Sequence, residues 1–256
     1  MRSRAALFLL LVAATYTART HAQAAAPSHA PDFRAQRRIA PLVFPAKPGA
    51  PFMAVAHTTW VATLPDGSTV TSENARVVAR DNDGRVFQER RTFVPVPNPK
   101  NLRSIAYASE YIDPVAHVVY RCGTVQKVCN EFGYFRMPDL PRRTGLQPDG
   151  TTYLTRENLG RDTFAGQDVI HTRETLTLYR ASVGNTNTIL RTVEYWYSPA
   201  LGVNLQVKRH DPRDGDQTLW LSDLSLSAAS PDVFQLPTGY RIIDHRGRPA
   251  TAGQQP

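Results

Sequence analysis

Residues 52–93 read FMAVAHTTWVATLPDGSTVTSENARVVARDNDGRVFQERRTF, three β-like runs divided by two short turns. In Leu64-Pro65-Asp66-Gly67-Ser68, Pro65 suits the first central position of a type I turn and Gly67 the position that needs φ > 0. Asp81-Asn82-Asp83-Gly84-Arg85 repeats the device. If both are three-residue connections, Leu64 faces Ser68 and Asp81 faces Arg85, and the two-residue period then assigns each side chain to a face. One face takes Met53, Val55, Val61, Val77, Ala79, Phe87 and Phe93. The other takes Phe52, Ala54, Trp60, Val70, Val78 and Val86 among polar residues. A meander that is apolar on both faces has to be covered on both or curl around something, which predicts a sheet wrapped about a hollow.

The pattern continues downstream. Ser104–Ile112 and Val115–Arg121 meet at Asp113-Pro114, and Thr151–Leu159 and Val169–Tyr179 flank Phe164-Ala165-Gly166. Thr188–Tyr197, Val203–His210 and Gln217–Leu226 each follow a turn-rich segment. No window holds a sustained i, i+3, i+4, i+7 apolar stripe, so the expectation is a mainly β, antiparallel fold of about ten strands with little helix. So many strands avoid exposed edges by forming a barrel, a partly closed barrel or a sandwich. MPDLPRRTGLQPDG, residues 137–150, reads as a long loop or flap.

Composition sets the class. The 256 residues hold 30 Lys+Arg, 22 Asp+Glu, 20 prolines, 15 glycines and two cysteines, which excludes a collagen, a disordered charged tail and a disulfide-dense mini-protein. The start, MRSRAALFLLLVAATYTARTHAQAAAP, has the three parts of a secretory signal: Arg2 and Arg4, the apolar stretch Ala5–Ala14, and the small-x-small site Ala22-Gln23-Ala24. The expected organisation is a signal peptide over 1–24, a proline-rich arm over 25–51, one β domain over 52–243 and a disordered tail over 244–256. Removing Arg2, Arg4 and Arg19 takes the net charge from +8 to 8 − 3 = +5, so the balance does not call for nucleic acid as a partner. No later stretch reaches the roughly 18 apolar residues of a membrane helix, so no transmembrane segment is expected and the mature chain is periplasmic or secreted.

Export places Cys122 and Cys129 where disulfides persist. In YRCGTVQKVCNEF they flank a hairpin-sized loop between two β-like runs, which suits a structural bridge. A metal pair would want a second Cys or His pair nearby, and a redox pair would read C-x-x-C.

The run EYWYSPALGVNLQVKRHDPRDGDQTLWLSDLSLSAASPDVFQLPTGYRI, residues 194–242, resembles the closing portion of outer-membrane lipoprotein-sorting proteins of the LolA type. A strand ending in an aromatic leads through a Pro/Leu-Gly turn to a strand carrying a lysine. An acidic-Gly turn, another strand and the closing Phe234-x-x-Pro237-x-Gly239-Tyr240 follow. GRDTFAGQDVIHTRETL, residues 160–176, is similar to the strand–Gly–strand element of that group. The resemblance covers Leu159 to Ile243 well and the first three strands loosely. It implies a curved, unclosed LolA/LolB-like β-barrel holding helices against its concave face, with acyl chains inside in the carriers. In this chain a proline-rich arm stands where a carrier has an N-terminal helix.

The chemical inventory is mostly negative. There is no G-x-S-x-G, H-E-x-x-H, P-loop or G-x-G-x-x-G, so no catalytic residue, metal site or cofactor is expected. His57, His117, His171 and His210 stand singly in strands, and Asp211, Asp214 and Asp216 form a tight turn in which calcium is a weaker alternative to simple structure. A hydrolase would need a Ser or Asp within hydrogen-bond reach of one of these histidines. The aromatics Trp60, Phe87, Phe93, Tyr195, Tyr197 and Trp220 fall in different strands and are the candidate lining of an apolar ligand site, with ordinary core packing as the alternative. The functional expectation is a non-catalytic periplasmic carrier of a lipid or acylated ligand. The alternative is an envelope module that docks a protein on the curved sheet.

Overall fold

Strand β1 (Phe52–Thr63) turns at Leu64–Ser68 into β2 (Thr69–Arg80), which turns at Asp81–Arg85 into β3 (Val86–Arg91). The computed structural model describes residues 44–135 and 143–246, all within one compact unit. The signal over 1–24, the arm before Phe44, residue 136 with residues 137–142 of the expected flap, and the tail beyond Arg246 lie outside them. Both turns have the expected register: the Leu64 N–H donates to the Ser68 carbonyl at 2.8 Å and the Asp81 N–H to the Arg85 carbonyl at 3.1 Å. Gly67 and Gly84 supply the positive φ, at 82° and 83°. Gly84 has a second reason to lack a side chain, because a Cβ there would lie 2.9 Å from the Pro48 nitrogen.

The chain continues through β4 (Val94–Val96), β5 (Ala106–Asp113), β6 (Val118–Gly123), β7 (Val128–Gly133), β8 (Gly145–Leu146), β9 (Thr152–Phe164) and β10 (Gln167–Leu178). It ends with β11 (Ile189–Ser198), β12 (Val203–Asp211), β13 (Gly215–Ser225), a 3-10 turn at Pro231–Phe234, and β14 (Arg241–Asp244). The fold is mainly β, but among the described residues one sheet of 14 strands replaces the expected ten or so. The additions are chiefly β4, β8 and β14, of two to four residues, too short to display a period. Strand β14 also departs from the antiparallel rule by pairing parallel to β7. Among the described residues the 3-10 turn is the only helical segment, so the helices that the resemblance implies are not found there.

Two meanders build the sheet, β1-β2-β3-β5-β6-β7 and β8 to β13, and β1 pairs with β13 to join them. The ends, β14 and β8, do not meet, so the sheet is not closed. Register shifts interrupt the β1–β13, β9–β10, β11–β12 and β3–β5 ladders. Each extra residue bends its strand and raises the local twist.

Parity decides what is covered. Phe52, Ala54, Ala56 and Thr58 are buried while Met53 is 38% exposed, so the even-numbered side of β1 is the inner face. The main core there joins Phe52, Val78, Val86, Leu205, Leu219 and Leu221 with Phe44. Residues 44–50 cross this core and are tied to it by Arg80, whose guanidinium donates to the carbonyls of Ala50 (2.8 Å), Pro45 (2.9 Å) and Leu201. The outer face has its own smaller core, in which Phe87, Tyr111, Tyr120 and the cysteines are covered by Leu236 and Tyr240. The apolar content of both faces in residues 52–93 is thereby accounted for.

Cys122 and Cys129 face each other across β6 and β7 and form the expected disulfide, with Cα atoms 3.9 Å apart. The ring it closes is short, so reduction should lower stability by about 2 kcal/mol, read as a shift in urea midpoint with and without reductant.

The turn after β12 is held by charge. Asp211 is fully buried and accepts from the Arg213 backbone at 3.1 Å and its guanidinium at 2.8 Å and 2.9 Å. Burial pushes this carboxyl up, but the Arg213 hydrogen bonds and the charges of Arg213 and Arg209 together outweigh it and hold it down at about 2. A depressed value in the folded state means stability present above the unfolded carboxylate range, near pH 3.9, and lost as the pH falls towards 2. Because Arg213 is 42% exposed, screening limits the contribution to about 1–2 kcal/mol. Asp211→Asn should cost that much at neutral pH and flatten the acid limb of the stability curve, measured by urea unfolding at stepped pH.

Candidate functional site

Beside the apolar core, the inner face carries a strip of buried polar side chains. Strand β2 alternates so that Asn74, Arg76, Val78 and Arg80 all turn inward, and all four are buried. Arg76 lies opposite Ala56 of β1, and Asn74 lies opposite Thr58. Gln88 lies opposite Val78 and Glu110 opposite Gln88.

These groups are unequally satisfied. Glu110 accepts from Arg90 at 3.1 Å, from Arg121 at 3.1 Å and from the Gln88 amide. Arg76, only 7% exposed, has one weak contact, donating from Nη1 to the Thr58 hydroxyl at 3.4 Å. Among the described residues its Nε and Nη2 have no partner, and neither do the Asn74 and Gln88 side-chain oxygens. Burial, then the nearby Arg90 charge, lowers the guanidinium to about 10, opposed by Tyr107. It still carries its charge at neutral pH. Arg90 and Arg121 both pair with Glu110 while Arg76 has no carboxylate among the described residues, which leaves 3 − 1 = +2 on this patch. An unpaired buried charge costs several kcal/mol, so Arg76 is a strongly unfavourable group that the packing of the described residues does not explain.

The six aromatic candidates do not form one surface. Tyr195 lies in the inner row Tyr195, Val207, Leu219, Thr58 and Asn74, set by successive strand pairings. Trp60 lies one step along the same face, opposite Gln217, and its indole N–H donates to the Asp214 carbonyl at 2.6 Å. Trp220 faces outward beside His57, the rings stacked at 4.9 Å. Phe87 packs in the outer core against Tyr111 at 5.2 Å. Phe93 is half-buried at the break between β3 and β4, and Tyr197 is 38% exposed at the far end of β11.

Arg76, Asn74, Thr58 and Gln88 were not among the candidates. The available signal was parity: once Phe52, Ala54 and Ala56 are recognised as inward, Arg76 and Arg80 must point the same way.

Of the histidines, His57 Nε2 is 2.8 Å from the Ser222 hydroxyl, and that hydroxyl lies 3.0 Å from a carboxylate oxygen of Asp223. A serine has one proton. It goes either to His57 or to Asp223, so Ser222 donates to one of the two and accepts from His57 only when the other takes its proton. His171 contacts Glu194 at 3.1 Å and stacks on Trp196 at 4.0 Å, and His210 contacts Asp216 at 2.6 Å. With Asp211 held by Arg213 and Asp214 near Arg209, the three turn carboxylates each face a basic side chain. Among the described residues no group of three His, Cys, Asp or Glu side chains is placed to hold a metal, and no helix is long and apolar enough to cross a membrane. A separate surface cleft of about 460 Å³ lies between the β9–β10 and β11–β12 turns, lined by Arg161, Asp168, Val169, Ile170 and Pro199 among others.

No protein-family model and no curated protein matches this sequence. Among solved structures, the chain is similar to an uncharacterized conserved protein from Thermus thermophilus, at 10% identity and a TM-score of 0.40, over 77% of this chain and 91% of that one. It is similar to MucB at 12% identity and a TM-score of 0.38, over 77% of this chain and 61% of MucB, so it spans less than two thirds of that protein. A putative outer-membrane lipoprotein-sorting domain from Vibrio parahaemolyticus is also a neighbour, at 12% identity and a TM-score of 0.19, over 74% of this chain and 91% of that domain. The group that residues 159–243 resemble is thus represented among the structural neighbours.

Proposed function

We propose that the chain is an exported, non-catalytic binding protein or carrier for a lipid-like ligand, held against the inner face of the open sheet. The supporting observation is the inward row of Tyr195, Val207 and Leu219, with Trp60 one step along, in a sheet whose two ends stay apart. An apolar chain needs no special motif there, since each buried methylene contributes about 0.8 kcal/mol. The disulfide fits an oxidising compartment such as the periplasm.

The test is native mass spectrometry of the purified chain, followed by titration of the delipidated protein with a fluorescent acyl probe. Co-purified lipid and saturable probe binding are expected, weakened at least about ten-fold by Trp60→Ala with Tyr195→Ala. Absence of both lipid and probe affinity would remove the proposal.

A second reading, a protein-docking module, has one observation in its favour. Strand β8 pairs only with Tyr153 and Leu154, so from Thr155 to Phe164 the outer edge of β9 has no strand partner among the described residues. An open edge accepts an extended peptide, though Arg156, Glu157, Arg161 and Asp162 blunt this one. Pull-down from cell envelopes of a specific protein without bound lipid would favour it.

A further inference from the structure

We propose that Arg76 is the seat of an oxyanion headgroup, a phosphate bearing at least one hydroxyl, whose apolar chain runs along the inner face towards the half-buried Val207, Tyr195 and Trp60. The inference rests on the carrier reading and names the polar end of its ligand. Two arginines four residues apart on the same face of β2 make the case by contrast. Arg80 is used up by three carbonyls. Arg76 touches only the Thr58 hydroxyl, through Nη1, which leaves Nε and Nη2 unpaired.

Those two nitrogens form the side-on edge of the guanidinium, the pair of parallel donors that matches two oxygens of one phosphate or carboxylate. No carboxylate among the described residues takes this place, and Glu110 is already held between Arg90 and Arg121. The unpaired acceptors then choose between the anions. Asn74, two residues before Arg76, and Gln88, opposite Val78 two residues after it, each bury an oxygen with no donor. A carboxylate has no proton for them. A hydrogenphosphate or a hydroxyl-bearing phosphate headgroup does.

The half-buried apolar side chains further along the inner face, Val207, Tyr195 and Trp60, complete the amphipathic lining. Val78, Ala56 and Leu219, beside Arg76, are already packed in the main core.

The test is calorimetry on the purified, delipidated chain at neutral pH with decyl phosphate, decanoate, decanol and inorganic phosphate. Decyl phosphate should bind at least about ten-fold tighter than decanol and more tightly than decanoate. In Arg76→Gln that advantage should fall below about three-fold while decanol still binds, which also reports that the variant is folded. Arg76→Lys, which keeps the charge and loses the two-donor edge, should fall between.

Equal affinity for decyl phosphate and decanol in the native chain, or an advantage that survives Arg76→Gln, would overturn the anion seat and leave the carrier reading standing. Inorganic phosphate bound by the native chain and not by Arg76→Gln, with no binding of decanol, would do the reverse. It would assign the seat to a free anion. If no probe binds, both proposals fall.

Discussion

Arg80→Met should lower the stability of the protein by about 3–5 kcal/mol, the largest loss expected of any single substitution considered. The side chain is fully buried and its donors reach the carbonyls of Ala50, Pro45 and Leu201. Methionine fills much of the volume and offers no donor, so three buried acceptors lose their partners, at about 1–3 kcal/mol each before relaxation. The guanidinium also sits over the Phe52 ring at 4.9 Å, a contact that is lost as well. For a domain of this size the melting temperature should fall on the order of 10 °C. Because two of the carbonyls belong to residues 45–50, the same variant should be cut faster by protease near that segment, and an unchanged cleavage rate would contradict its role as a clamp.

At Arg76 the same substitution should have the opposite sign. Arg76→Met removes a buried charge that has one weak hydrogen bond and no carboxylate, and replacing poorly compensated buried ions by apolar groups is neutral or stabilising by about 1–4 kcal/mol. Urea unfolding of the ligand-free protein should therefore show an equal or higher midpoint. Addition of decyl phosphate should raise the midpoint of the native chain and leave that of the variant nearly unmoved. A fall of more than about 1 kcal/mol in the ligand-free variant would mean that the guanidinium is satisfied in the fold, and the case for an unpaired donor edge would lapse.

The part of this architecture legible from residue order is the part governed by neighbours in the chain. Pro65 with Gly67, and Asp81 with Gly84, fixed two hairpins to the residue, and the spacing of Cys122 and Cys129 put them opposite each other. The strands that escaped notice are held by distant partners: β14 is defined by its pairing with β7 more than a hundred residues earlier, and β4 by an interruption opposite β2. Which side of β2 faces inward was also hidden, since Val77 and Ala79 are as apolar as Val78. Only the pairing of Ala54 and Phe52 with Val78 and Arg80 decides it. The candidate site was missed for a related reason. A search for ligand contacts among aromatics passes over an arginine whose distinguishing property is what it lacks, and that property exists only in three dimensions.

The seam between β1 and β13 governs how the molecule is made. It aligns Val61 with Asp216 and Met53 with Ser225, the first long segment of the β domain with the last. Apart from the late β7–β14 pairing, the other ladders are nearby hairpins or their extensions and can zip as soon as their turns close. Each half can thus organise early, whereas the seam has to wait for the chain to be finished and then close a loop of some hundred and fifty residues, a slow event by its entropy. During that delay β1 presents a bare hydrogen-bonding margin to any passing strand, so assembly, more than the finished structure, is the stage at which this protein is exposed to aggregation.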